Sequence, residues 1–149
     1  MDTSEQPFLE ELRRKRGELR GSMSALEHAL ASPAGGGVRW AERVHVALVE
    51  LSADLREHVT ITEGPDGLYQ EVIRAEPRLL DPVDRLTEEH GAFAGQVEAL
   101  MSRVDPGAPI EVEPLREKGS DLIRGLMRQR QKGADLVYEA YEFDIGGDT

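Results

Sequence analysis

The 149-residue chain contains no cysteine. That absence excludes disulfide staples, iron–sulfur clusters and thiolate zinc sites together. Aromatic residues are scarce at 5% while Leu, Ala, Glu and Arg abound, and that balance favours helix over sheet. No apolar run approaches the roughly 18 residues of a membrane span. The opening MDTSEQPFLEE is acidic and lacks the apolar core of a signal peptide. The expectation is a cytoplasmic protein with no membrane partner. Positive charge is in deficit, with 18 Lys and Arg against 29 Asp and Glu; the net charge of −11 argues against a nucleic-acid partner. A protein partner or a homo-oligomer remains open.

At this length residues 1–149 should form one domain with a core of its own. Four amphipathic segments stand between Gly/Pro punctuation. The first is predicted from about Pro7 to Ala31, with Phe8, Leu12, Arg16, Leu19, Met23, Leu26 and Leu30 spaced by three or four, and Ser4 as an upstream cap. The run 32–37, Ser-Pro-Ala-Gly-Gly-Gly, ends it. The second runs from about Arg39 to Thr62 through Val44, Leu48, Leu51, Leu55 and His58, and Pro65-Asp66-Gly67 turns the chain. A short helix over Leu68–Ala75 follows. The third runs from about Pro82 to Val104 through Val83, Leu86, His90, Val97 and Leu100, with Asp81 as N-cap. The fourth runs from about Pro114 to Phe143 through Leu115, Gly119, Leu122, Leu126, Gln129 and Gly133. Connections of moderate length make sequential helices antiparallel neighbours, so the expected fold is an all-α, up-down-up-down antiparallel four-helix bundle. A helical pair that dimerises into a bundle is the alternative.

The seams are not wholly apolar. Arg16 interrupts the first, His58 and Thr62 the second, His90 the third, Gln129 and Gly133 the fourth. A buried polar group without a partner costs about 1–3 kcal/mol, so these residues need one another. One connected polar layer satisfies that need, and bundle metal sites are built in such places. His28 and His45 fall off the seams and read as surface residues.

The order of features resembles the hemerythrin-like (HHE cation-binding) family. Four pieces carry the likeness: Leu12-Arg-Arg-Lys-Arg-Gly-Glu-Leu19; Leu55-Arg-Glu-His-Val-Thr-Ile-Thr-Glu-Gly64; Pro77-Arg-Leu followed by Leu86-Thr-Glu-Glu-His90; and Glu139-Ala-Tyr-Glu-Phe-Asp-Ile-Gly-Gly147, which is similar to a tail of bacterial members. The resemblance implies a bundle holding two non-haem irons through histidines of all four helices and bridging carboxylates. Matched position by position, this chain keeps only His58 and His90. The first-helix histidine falls on Arg16, and the carboxylate one turn after His58 on Thr62, with Glu63 beside it. The residue one turn after His90 is Ala94. The fourth-helix histidine falls on Gln129, and its carboxylate on Gly133.

A di-iron centre therefore cannot be assembled from the seams. Arg16 cannot ligate and repels a nearby cation. The resemblance then implies a hemerythrin-like domain with a degenerate site and no cofactor, serving as a structural or interaction module. In it Arg16 supplies the positive charge and pairs with Glu63 or Glu89, while Gln129 bonds His58 or His90. The alternative keeps iron at a reduced His58, His90 and Glu63 site, in an oxygen, nitric oxide or iron sensor or storage module. In a third reading Arg16 snorkels outward and the histidines bond backbone or water. No nucleophile–base pair, phosphate loop or paired-carboxylate site points to an enzyme. The Arg13–Arg16 run reads as an ion-paired face, Arg128, Arg130 and Lys132 as flanking residues, and Tyr138, Tyr141 and Phe143 as packing back onto the bundle end.

Overall fold

Apolar spacing of three and four turns the first segment into α1, Glu5–Ala31. Leu9, Leu12, Leu19, Met23, Leu26 and Leu30 are buried along one side, with Arg16 in the same row. The computed structural model describes residues 5–105, 107 and 109–141; Ser4 lies outside them. Pro33 cannot continue α1, and the Ser32 hydroxyl donates to the Ala29 carbonyl at 2.7 Å. Gly37, at φ +93°, starts α2 (Val38–Glu63) in a conformation that side chains oppose. The last carbonyls of α1 are met by distant residues. Trp40 Nε1 donates to the Leu30 carbonyl at 3.4 Å. Arg116 donates to the Leu30 and Ser32 carbonyls at 2.8 and 2.9 Å and lies over the Trp40 ring.

The Gly64–Gly67 turn folds tightly over the end of α2. A Cβ on Gly67 would stand 2.8 Å from the Ile61 and Thr62 carbonyl oxygens. This turn aims α3 (Leu68–Ala75) back across the helices, with Leu68, Tyr69 and Val72 buried. A 3₁₀ turn over Pro77–Leu79 leads into α4 (Leu80–Arg103). The helix thus begins before the expected Asp81 cap. The 3₁₀ turn runs straight into it, Leu79 takes the cap position, and Asp81 sits in the first turn, where its charge suits the helix dipole. α5 spans Val112–Tyr141; the expected end at Phe143 lies outside the described residues.

α1 packs on α2 and α5, and α4 packs on the same two helices, so the four long helices close a ring with α3 laid against α2, α4 and α5. All regular structure among the described residues is helical, and no described helix is long and apolar enough to cross a membrane. Two glycines set the helix spacing. A Cβ on Gly119 would lie 2.5 Å from Leu30 Cδ1, and one on Gly125 2.6 Å from Phe93 Cε1. Tyr138 is 59% exposed, so it does not pack back as expected, whereas Tyr141 packs against the apolar cluster at its end of the ring.

The core is split in two. One apolar cluster gathers Leu19, Leu26, Trp40, Leu48, Leu55, Leu122 and Leu126. The other gathers Leu12, Leu68, Tyr69, Val83, Leu86 and Val137. Each fully buried Leu or Val contributes about 1.5–3 kcal/mol, so both halves hold the fold. The buried polar residues numbered between the two clusters on the long helices are Arg16, His58, His90 and Gln129.

Candidate functional site

The helices bring these four to one level, each nearly or fully buried: Arg16 is 2% exposed, His58 6%, His90 1% and Gln129 5%. The His58 and His90 rings meet edge to face, 5.1 Å between centroids at 80°. Tyr69 of α3 stacks on the His90 ring at 5.9 Å and 14°. The Arg16 guanidinium reaches across to α5, where Nη2 donates to the Arg130 carbonyl at 3.2 Å. Arg130 returns the contact, donating Nη1 to the Arg16 carbonyl at 3.0 Å. A Cβ on Gly133 would touch Arg16 Nη1 at 3.9 Å. The missing side chain at Gly133 therefore leaves the space beside which the guanidinium lies.

Burial decides the charge of the histidines. His58 is pushed down to about 3, first by burial and then by the neighbouring His90, Arg16 and Arg130. His90 is pushed down to about 4 by burial. Both are neutral near pH 7. Burial also raises Tyr69, aided by the Glu63 charge and opposed by a hydrogen bond with Thr62. Glu63 is raised by burial against a hydrogen bond from Thr87.

Several expected partnerships do not form. Gln129 was expected to bond a histidine; its Nε2 donates instead to the Leu86 carbonyl at 3.2 Å, because α4 presents backbone at that height. The Thr62 hydroxyl turns back to the His58 carbonyl at 2.8 Å. Glu89 points outward and pairs with Lys132 at 3.2 Å, so it is no partner for Arg16. Glu63 stands with Oε1 3.5 Å from His90 Nδ1. Arg16 is buried and does not snorkel outward. The histidines keep unbonded nitrogens: Nδ1 of His58 and both ring nitrogens of His90 have no hydrogen-bond partner among the described residues. Arg130, expected merely to flank the helices, is half-buried and joins the layer. Tyr69 was not anticipated at all; its one visible signal was its place two residues after the Gly67 turn. Off the layer, His45 Nε2 sits 3.5 Å from Asp105, and His28 is exposed.

The chemistry of this donor set can be tested against a metal. Unbonded imidazole nitrogens suit one. Two neighbouring arginines, strong enough in field to depress His58, do not. His58, His90 and Glu63 also fail to bring three ligand atoms within 4.8 Å of one another. Among the described residues the group that does is Glu18, Asp54 and Glu57, on the outer seam of α1 and α2. There Lys15 lies 2.7 Å from Glu57, and Ser22 donates to Asp54. The donor set does not fit a di-iron centre. No protein-family model, curated protein or solved structure matches the chain.

Proposed function

We propose that this chain is a hemerythrin-like, up-down-up-down antiparallel four-helix bundle whose di-iron site is replaced by an arginine–histidine–glutamine layer. Its role is that of a structural or interaction module. Cross-helix pairs support the topology. Arg16 meets Arg130 while Leu30 meets Arg116; Lys15 meets Glu57 while Ser22 meets Asp54. On the remaining sides Leu86 meets Gln129 while Phe93 faces Gly125, and His45 meets Asp105 while Glu63 meets His90. In each pair the number rises on one helix as it falls on the other.

The observation that carries the functional reading is the buried Arg16 guanidinium, which lies beside Gly133 and adds to the depression of His58. A fixed cation there serves where the family places metal charge, and it cannot be removed by pH. Such a layer specifies helix register: sliding any helix by one turn would bury these groups among leucines. Elemental analysis of untagged protein tests the reading. It expects iron and zinc far below one per chain, and no absorption band of an oxo-bridged di-iron centre. A stoichiometric metal, lost in His58→Ala, would overturn it.

One specific feature favours a second reading. The unbonded nitrogens of His58 and His90, with Glu63 alongside, offer the ligand types of a mononuclear non-haem iron site in an oxygen, nitric oxide or iron-binding module. Their ligand atoms do not all lie within 4.8 Å of one another, so iron held there would require these side chains to move. The same elemental analysis separates the two readings.

A further inference from the structure

The outer face of α2 carries an apolar row that none of the described residues covers. Val46 is 57% exposed and Val49 43%, and Ala53 continues the row at helical spacing. Isolated exposed valines need no explanation, but these are consecutive members of one stripe. The stripe does not end at Ala53. It runs into a groove of about 630 Å³ between α1 and α2, where Phe8, Ala53 and Ile61 give apolar surface among Glu11, Lys15, Arg56, Glu57 and Thr60. A row of small apolar side chains leading into a groove matches the apolar face of a helix laid along it.

The charge beside the stripe states what kind of helix. Glu50, Asp54 and Glu57 follow one another at helical spacing on the side of α2 facing α1, and Glu18 of α1 joins them. Lys15 answers Glu57 and Glu18, and the Ser22 hydroxyl answers Asp54. Glu18 also meets Arg14, and Arg56 stands on the groove wall, but Glu50 and Asp54 make no ion pair among the described residues, so the flank stays net negative. The whole chain, at −11, adds a field of the same sign.

We propose that the α2 face and its groove dock a basic amphipathic helix of a partner protein. The partner's apolar row lies on Val46, Val49 and Ala53 and enters the groove beside Phe8 and Ile61. Its Lys or Arg residues meet Glu50, Asp54 and Glu57. The proposal rests on the reading of the chain as an interaction module and supplies the partner class that reading lacks.

The test uses a fluorescent synthetic helix with Leu at positions i, i+3, i+7 and i+10 and Lys on both flanks, followed by anisotropy against the full chain. Saturable binding is expected, weakened at least tenfold in Val46→Glu/Val49→Glu. Glu50→Gln/Asp54→Asn/Glu57→Gln is expected to weaken it by a similar factor and to flatten its salt dependence. A peptide with every Lys changed to Glu should bind at least tenfold more weakly. Circular dichroism checks that each variant folds; these positions are exposed or half-exposed, and Val46→Ser/Val49→Ser replaces the first variant if it does not. Absence of binding, or equal binding to parent and variants, overturns the proposal. So does a parent that sediments as a dimer while the valine variants are monomers, since the face would then belong to a second copy. Because the polar layer is tested by metal content and stability, a failure here leaves that reading standing, and the converse also holds.

Discussion

Acidification should destabilise this protein through two residues. His58 and His90 are buried and neutral, with values near 3 and 4 in the fold against 6.5 for a free histidine. A base with a depressed folded value is protonated more readily in the unfolded chain. Stability is therefore fully present above about pH 6.5, falls as pH drops below it, and stops falling only below the folded values. At pH 5 an unfolded histidine gains about 2 kcal/mol from protonation while the folded one gains almost none, so the pair costs on the order of 4 kcal/mol relative to pH 8. Glu63, raised by its half-burial, contributes in the opposite direction, because its protonated form is favoured in the fold. A domain of this size has about 5–15 kcal/mol in all, and each kcal/mol moves the thermal midpoint by about 2–4 °C. Circular dichroism melts at pH 8 and pH 5 should differ by roughly 8–16 °C. In His58→Gln/His90→Gln most of that difference should vanish. A parent midpoint that stays level over this range, or a drop equally large in the double variant, would refute the dry neutral pair.

Other substitutions probe the layer and the helix spacing. Arg16→Ala should cost about 3–5 kcal/mol by chemical denaturation, because it opens a cavity and removes the buried hydrogen bond to the Arg130 carbonyl. Arg16→Met, which fills the space without charge, should lose far less, and NMR titration should find His58 less depressed once the Arg16 field is gone. Tyr69→Phe should cost about 1 kcal/mol through the hydrogen bond with Thr62, while Tyr69→Ala should cost about 3–5 kcal/mol by also opening the cover over His90. Gly119→Ala should destabilise by about 1–3 kcal/mol, since its Cβ meets buried Leu30, despite alanine's better helix propensity. Gly17→Ala, with open space around it, should stabilise by up to about 1 kcal/mol in the same assay.

Much of the helix plan is legible in the sequence. Apolar residues at three and four mark each long helix, since burying one stripe is the main gain that helix formation offers this chain. The helix starts were less readable. Asp81 and Pro82 look like a cap and first residue, yet the Pro77–Leu79 turn feeds the helix from further back. The polar members of the seams were visible as exceptions to a pattern, and they do share one level. Their partners were not visible. Whether Gln129 meets a histidine or the Leu86 carbonyl depends on the height of α4 against α5, which the tight fit of Gly125 against Phe93 helps to set. Glu89 could not be told from Glu63 by spacing, because a small difference in angle sends one to Lys132 and the other towards His90. Tyr69 was hidden for a different reason: its role follows from the turn at Gly64–Gly67, which swings α3 over the layer.

Iron-dependent stability tests the proposed replacement of metal by Arg16 most directly. Untagged parent and His58→Ala are melted anaerobically with ferrous iron raised to about 100 µM. Ligand that binds only the folded state at a dissociation constant near 1 µM would add about 2.7 kcal/mol. That corresponds to a midpoint rise of roughly 5–10 °C. With Arg16 holding the centre of the layer, neither protein should move by more than about 1 °C, well inside that range. A rise of the larger size in the parent that is absent from His58→Ala would show that the histidines still hold a metal.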